Sequence, residues 1–142
     1  MKALIVIDVQ NDFLPGGALA VEDGDLIVPV INQLISQFEL VIATQDWHPR
    51  NHVSFADNHQ NKKPFDIIEH QGQEQILWPR HCVQNTHGAQ FHAELDDLHF
   101  ETIFRKGTHF NIDSYSGFYD NAHQKCTGLV LFIPKLFVNI AN

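Results

Sequence analysis

The chain has 142 residues, a hydrophobic content of 44% and a formal net charge of −8 with histidine neutral. This length suits one domain, and the hydrophobic content suits a packed core rather than a disordered chain. The acidic balance argues against a nucleic-acid partner, because no basic stripe exists to neutralise phosphates.

MKALIVIDVQ breaks at Asp8 and lacks a small-residue cleavage site, so no signal peptide is expected. No apolar run reaches the roughly 20 residues that span a bilayer. The expectation is a cytoplasmic protein with no membrane partner. Cys82 and Cys126 lie far apart, and a disulfide between them is unpromising. Ten histidines are the unusual total, and their positions must decide which of them matter.

In chain order, the first element is ALIVIDV, Ala3 to Val9, a β-branched apolar run interrupted only by Asp8. It reads as a strand buried on both faces, as in a parallel sheet. FLPGG marks a turn. A helix follows over VPVINQLISQF, with Asp25 as N-cap, Pro29 in its first turn, and Val30, Ile31, Leu34, Ile35 and Phe38 as its apolar stripe. LVIAT, Leu40 to Thr44, is a second buried strand. Together these make a right-handed βαβ unit. The stretch from Asn51 to His92 is polar, aromatic and irregular, too long for a simple connection. TIFRKG, Thr102 to Gly107, reads as a third strand ending at Lys106. No repeat or interdomain linker is visible.

Ligands of α/β sheets bind beyond the carboxyl ends of the strands. Strand one ends with Asp8. Strand two runs into TQDWHPRNHVSF, which holds Asp46, His48 and His52. Strand three ends with Lys106. A lone histidine in a His-rich chain is ordinarily a solvent-facing residue. A D-x-H-x-x-x-H run directly after a buried strand is better read as ligands for a divalent first-row metal. His81 in WPRHCV is a fourth candidate, if the irregular segment folds back over the site. Asp8 could simply cap a loop. A carboxylate inside a run of Ile and Val is expensive unless paired, however, and Lys106 is its natural partner. Such a pair in a cleft can position and activate a nucleophile.

MKALIVIDVQNDFLPGGALAV, TQDWHPRNHVSF, WPRHCVQNTHGAQFH, FRKG and YSGF occur in that order. Together they resemble the bacterial nicotinamidases (pyrazinamidases) of the isochorismatase-like hydrolase superfamily. The resemblance runs from Met1 to about Gly128. It implies an α/β fold, a parallel sheet with helices on both faces. It also implies hydrolysis of nicotinamide to nicotinate and ammonia in NAD salvage, with pyrazinamide as a second substrate. By resemblance, Asp8 and Lys106 are catalytic. Asp46, His48, His52 and His81 hold one divalent metal (zinc, iron or manganese), and Phe13 and Trp78 sandwich the pyridine ring. In the family the metal binds the pyridine nitrogen, and a cysteine thiolate attacks the amide carbon. Asp and Lys must help form that thiolate, because a free thiol has a pKa near 8.5.

The family places this cysteine after a further strand, in a pattern like G-x-x-T-D-x-C-V, and no such motif exists here. Cys82 follows His81 and should point away from it. Cys126 in NAHQKCTG has no strand-to-helix elbow around it. Neither is expected to be the nucleophile. The expected organisation is a nicotinamidase-like domain over residues 1–128 and an aberrant apolar tail over 129–142, the product of a shifted or interrupted reading frame. The fold would then be truncated at its C-terminus and the enzyme inactive. It would be marginally stable or self-associating, through an open sheet edge or the tail segments LVLFI and LFVNI. Two other readings remain: another isochorismatase-like hydrolase, or a non-catalytic metal-binding or assembly protein.

Overall fold

The computed structural model describes residues 2–138. Three parallel strands form its sheet: β1 (Ala3–Ile7), β2 (Leu40–Asp46) and, after a two-stranded hairpin, a later strand Thr102–Lys106. The hairpin pairs β3 (Ile67–His70) with β4 (Gln73–Ile76), so the third sheet strand is β5. The sheet order is β1-β2-β5, with β2 in the middle. Helix α1 (Ile27–Ile35) joins β1 to β2, and α2 (Gly128–Val138) follows β5.

The helices cover opposite faces, as expected. Val28, Ile31 and Ile35 of α1 pack with Val6, Val41 and Ala43 on one face. Leu129 of α2 packs with Leu40 and Ile42 on the other, backed by Phe104, Phe132 and Ile133. Residues 129, 132 and 133 follow the spacing that puts side chains on one helical face. The hydroxyl of Thr127 accepts the Leu129 N–H at 3.2 Å and so caps the start of α2. The segment 129–142 therefore begins as packed helix. Its residues 139–142, the end of LFVNI included, lie outside the described residues.

Several sequence expectations need correction. Asp25 does not cap α1, because it sits inside a short 3-10 turn, Gly24–Leu26, that leads into the helix. The buried stripe of α1 is Val28, Ile31 and Ile35, and Val30 is exposed. Only β2 is buried along its whole length. Strand β1 is an edge, and its Ile5 and Ile7 are exposed. The irregular segment 51–92 contains the hairpin, which the period-2 signal of IIEH and QEQI was too short and too polar to announce. Its turn is Gln71-Gly72, with φ of 53° and 77°. Two positive φ values match the right-handed twist of the flanking strands.

Candidate active site

The parallel register brings the charged strand ends together. Asp46 is paired directly with Lys106 across β2 and β5, and Ile7 with Thr44 across β1 and β2. Partners in register point to the same face. Lys106 Nζ therefore reaches Asp46 Oδ1 at 2.5 Å. Strict alternation would aim Asp8 at the opposite face, with Val6. A φ of 51° at Asp8 breaks the alternation. Its carboxylate turns to accept the Thr44 hydroxyl at 2.8 Å and to pair with Lys106 Nζ at 3.0 Å. Asp is one of the few residues that tolerate this left-handed conformation. The expected Asp8–Lys106 pair is present, and Lys106 bridges two carboxylates rather than one.

Gln10 holds the second strand end in place. Its buried amide accepts the Asp46 N–H at 2.7 Å and donates to the Asp46 carbonyl at 2.8 Å. The side chain thus imitates a neighbouring strand at the point where β1 has already turned away.

Asp46, His48 and His81 converge as a possible metal triad, all three buried. His48 Nε2 lies 3.5 Å, and His81 Nε2 3.9 Å, from Asp46 Oδ2. Each imidazole has its other nitrogen on a backbone carbonyl: His48 Nδ1–H donates to Gly107 at 2.9 Å and His81 Nδ1–H to Pro79 at 2.7 Å. This fixes both Nε2 atoms toward the carboxylate, where each, free of its proton, can ligate an ion, the outer-shell arrangement that metal ligands use. A carboxylate and two neutral imidazoles suit a divalent first-row ion. The residues present therefore fit a metal. The fourth expected ligand, His52, is displaced from this triad. It packs against His48, with ring centroids 4.3 Å apart and planes tilted by 41°, and groups with His48 and Asp113 instead.

Asp8, Phe13, Asp46, His48, Trp78, His81 and Lys106 all line one cavity of about 200 Å³. Of the eight residues expected at the site, only His52 does not reach it. Asp113, Ser114 and Tyr115 also line the cavity and were missed. Tyr115 accepts the Trp78 indole N–H at 3.3 Å. The available signal is that Tyr115 opens YSGF and Asp113 and Ser114 directly precede it, a motif that carries family resemblance without itself indicating site chemistry.

Burial and charge set the protonation states. Burial pushes Asp8 up, and Lys106 only partly offsets it. Burial would also raise Asp46, but hydrogen bonding from His48 and the charge of Lys106 outweigh it and bring Asp46 down to about 2. Burial works against charged Lys106, yet the two carboxylates hold its pKa above the ordinary value. His48 is held up by Asp46 against burial, whereas burial lowers His81. Burial and neighbouring His48 bring His52 down from 6.5 to about 4.

A pH dependence follows. The depressed pKa of His52 means that the unfolded chain takes up its proton first as pH falls. Its contribution to stability is present above 6.5 and lost as pH falls toward 4. His81 acts in the same direction, and His48 opposes them. The metal-free chain is expected to melt at a lower temperature at pH 4.5 than at pH 7, with a shallower decline in His52→Asn. A pH series of thermal unfolding checks this, and a flat profile in the parent chain contradicts it.

Neither cysteine is placed for attack. Cys82 is fully buried, its Sγ faces the Gly88 carbonyl at 3.9 Å, and burial pushes its thiol pKa upward. Its backbone is left-handed rather than extended, with φ of 45°. The Cys82 N–H is clamped by Asp12 Oδ2 at 2.6 Å, and His81 alone of the two faces the cavity. Cys126 is exposed and lines a different recess, beside Lys125 and Thr127.

The isochorismatase domain family model matches residues 2–122. The nicotinamidase of Acinetobacter baylyi is 53% identical over 133 residues, covering 94% of this chain and 62% of the relative. The structure of an Acinetobacter baumanii nicotinamidase/pyrazinamidase aligns with TM-score 0.90 at 53% identity, over 94% of this chain and 64% of that one. A Pyrococcus horikoshii pyrazinamidase solved in complex with zinc aligns with TM-score 0.69 at 38% identity, over 94% and 63%. The chain thus spans less than two thirds of the length of these relatives. A family match over most of the chain agrees with the parallel sheet and the helices on its two faces. This chain belongs to the isochorismatase domain family.

Proposed function

We propose that the chain carries the metal-binding and substrate-holding part of a nicotinamidase, acting in NAD salvage in the cytoplasm. The observation that carries this reading is the single cavity. It places the Asp8–Lys106 pair beside the Asp46–His48–His81 triad, with Phe13 and Trp78 on its walls. A planar heteroaromatic amide suits that lining. Asp46, His48 and His81 would hold the ion, which would supply Lewis-acid chemistry toward a pyridine nitrogen. Zinc, iron and manganese all accept this donor set. Asp8, with its pKa raised by burial, can take up a proton at Oδ2 from an attacking nucleophile. Lys106 holds that oxygen in place at 3.0 Å. Among the described residues, no helix is long and apolar enough to cross a membrane.

Within these residues neither Cys82 nor Cys126 supports the nucleophile's role. The chain alone is therefore proposed to bind nicotinamide without turning it over. The test is equilibrium binding of nicotinamide to zinc-loaded and metal-free protein, with ammonia release followed in parallel. Metal-dependent binding with no ammonia above the blank is the expected result. Ammonia release abolished by Cys82→Ala or Cys126→Ala would give that thiol the nucleophile's role. Absence of metal-dependent binding would sink the nicotinamidase reading and favour the metal-binding protein without this substrate.

We also propose that the open edge of β1 drives self-association. Ile7 is 66% exposed there, and an unpaired apolar edge recruits other strands. Ile7→Lys is expected to shift the chain toward monomer in analytical ultracentrifugation. A parent chain that is already monomeric across the micromolar range contradicts this.

A further inference from the structure

We propose that His48, His52 and Asp113 form a second position for a divalent first-row metal ion, alternative to the one at Asp46, His48 and His81. This goes beyond the nicotinamidase reading and does not depend on it.

The three side chains are buried, and their ligand atoms all lie within 4.8 Å of one another. Each is anchored from behind. His48 has Nδ1 on the Gly107 carbonyl at 2.9 Å, and His52 has Nδ1 2.8 Å from the Ser54 hydroxyl. Asp113 accepts the Ser114 N–H at 2.8 Å on one oxygen and the Gln75 amide at 2.9 Å on the other. Ligands fixed by such outer contacts are characteristic of metal sites.

The charge balance points the same way. Asp46 has Lys106 as its counter-charge. Among the described residues, no lysine or arginine pairs with Asp113, which is nonetheless only 4% exposed. A buried carboxylate held by neutral donors alone is costly, and a cation between it and the two imidazoles removes that cost. In the metal-free chain His52 Nε2–H donates to the Ile112 carbonyl at 3.2 Å, so an ion taken by Nε2 would displace that proton and find the carbonyl as a further oxygen donor. In that state Nδ1 accepts the Ser54 N–H at 3.3 Å; ligation through Nε2 moves the ring proton to Nδ1, where the Ser54 hydroxyl 2.8 Å away accepts it in place of that contact.

The two positions exclude each other. With Nδ1 on Gly107, His48 has only Nε2 left, and one imidazole nitrogen has one lone pair. An ion in the second position is set back toward His52, which does not line the cavity. The four-ligand set expected from sequence is thus divided between two triads that share His48.

The test is equilibrium dialysis of zinc, with cobalt(II) absorption spectra as a second readout, on His81→Ala, Asp113→Asn and the double variant. Circular dichroism confirms that each is folded, and Asp46→Asn replaces His81→Ala if that variant is not. His81→Ala is expected to retain one ion with an altered cobalt spectrum. Asp113→Asn alone is expected to change affinity less than about 3-fold, yet to weaken it at least about 100-fold in the His81→Ala background. An equal loss in both backgrounds would make Asp113 an orienting residue and overturn the proposal. No loss in either background, or no metal bound by the parent chain, would overturn it too. Two ions bound at once by the parent chain would overturn the exclusion.

Discussion

Lys106→Met is expected to destabilise the metal-free chain by about 3–5 kcal/mol, the range for breaking a buried ion pair by removing one partner. Lys106 Nζ lies 2.5 Å from Asp46 and 3.0 Å from Asp8, and also donates to the Ser114 carbonyl at 3.2 Å. Methionine fills the stem's volume but leaves two carboxylates facing each other without a cation. One of them must then take up a proton, and Asp8 is the candidate, because burial and Asp46 already raise its pKa. The loss should therefore shrink as pH falls through the range where Asp8 protonates. Zinc should restore part of the stability by supplying charge beside Asp46. Chemical denaturation of parent and variant, with and without zinc at pH 5 and pH 8, reads all of these. A loss below about 1 kcal/mol at pH 8 would mean that the pair is far better solvated than its burial implies.

Gly107→Ala is expected to weaken zinc binding at least about 10-fold, approaching the effect of His48→Ala. Gly107 has a φ of 61°, where an L residue is strained by roughly 1–2 kcal/mol. The larger effect is steric. A Cβ at this position would lie 2.3 Å from His48 Cε1 and 2.5 Å from its Nδ1. The imidazole would have to leave the Gly107 carbonyl that orients it, and His48 belongs to both metal triads. Zinc titration with a competing chelator gives the affinity. A variant with unchanged affinity would show that His48 orientation does not limit binding.

These two positions also show what was legible in the chain. FRKG was read as a strand end that delivers Lys106, and β5 does end there. The glycine after it has no role that the sequence shows, and only the fold packs the His48 ring against its backbone. Asp8 was legible as a costly carboxylate in an apolar run. That it reaches Lys106 through a left-handed backbone turn was not, because alternation along a strand predicts the opposite face. His52 was legible as a ligand type at ligand spacing, but spacing alone could not divide the histidines between two triads. The β3–β4 hairpin was hidden because its pairing stabilises strands that are largely polar.

By itself the sequence determined the local elements that carry strong apolar patterns, and the residue types delivered at their ends. Short runs rich in β-branched and apolar residues mark strands whether or not both faces are buried, so β1, β2 and β5 announced themselves along with Asp8, Asp46 and Lys106. The tertiary structure decided everything that depends on which distant segments meet. Parallel register set Lys106 opposite Asp46, and Gln10 pinned the end of β2 to the turn after β1. The fold-back of segment 51–92 brought His81 to Asp46, and the chain after β5 brought Asp113 to His52. Such contacts join residues tens of positions apart. Their energies come from burial and pairing that no local pattern encodes.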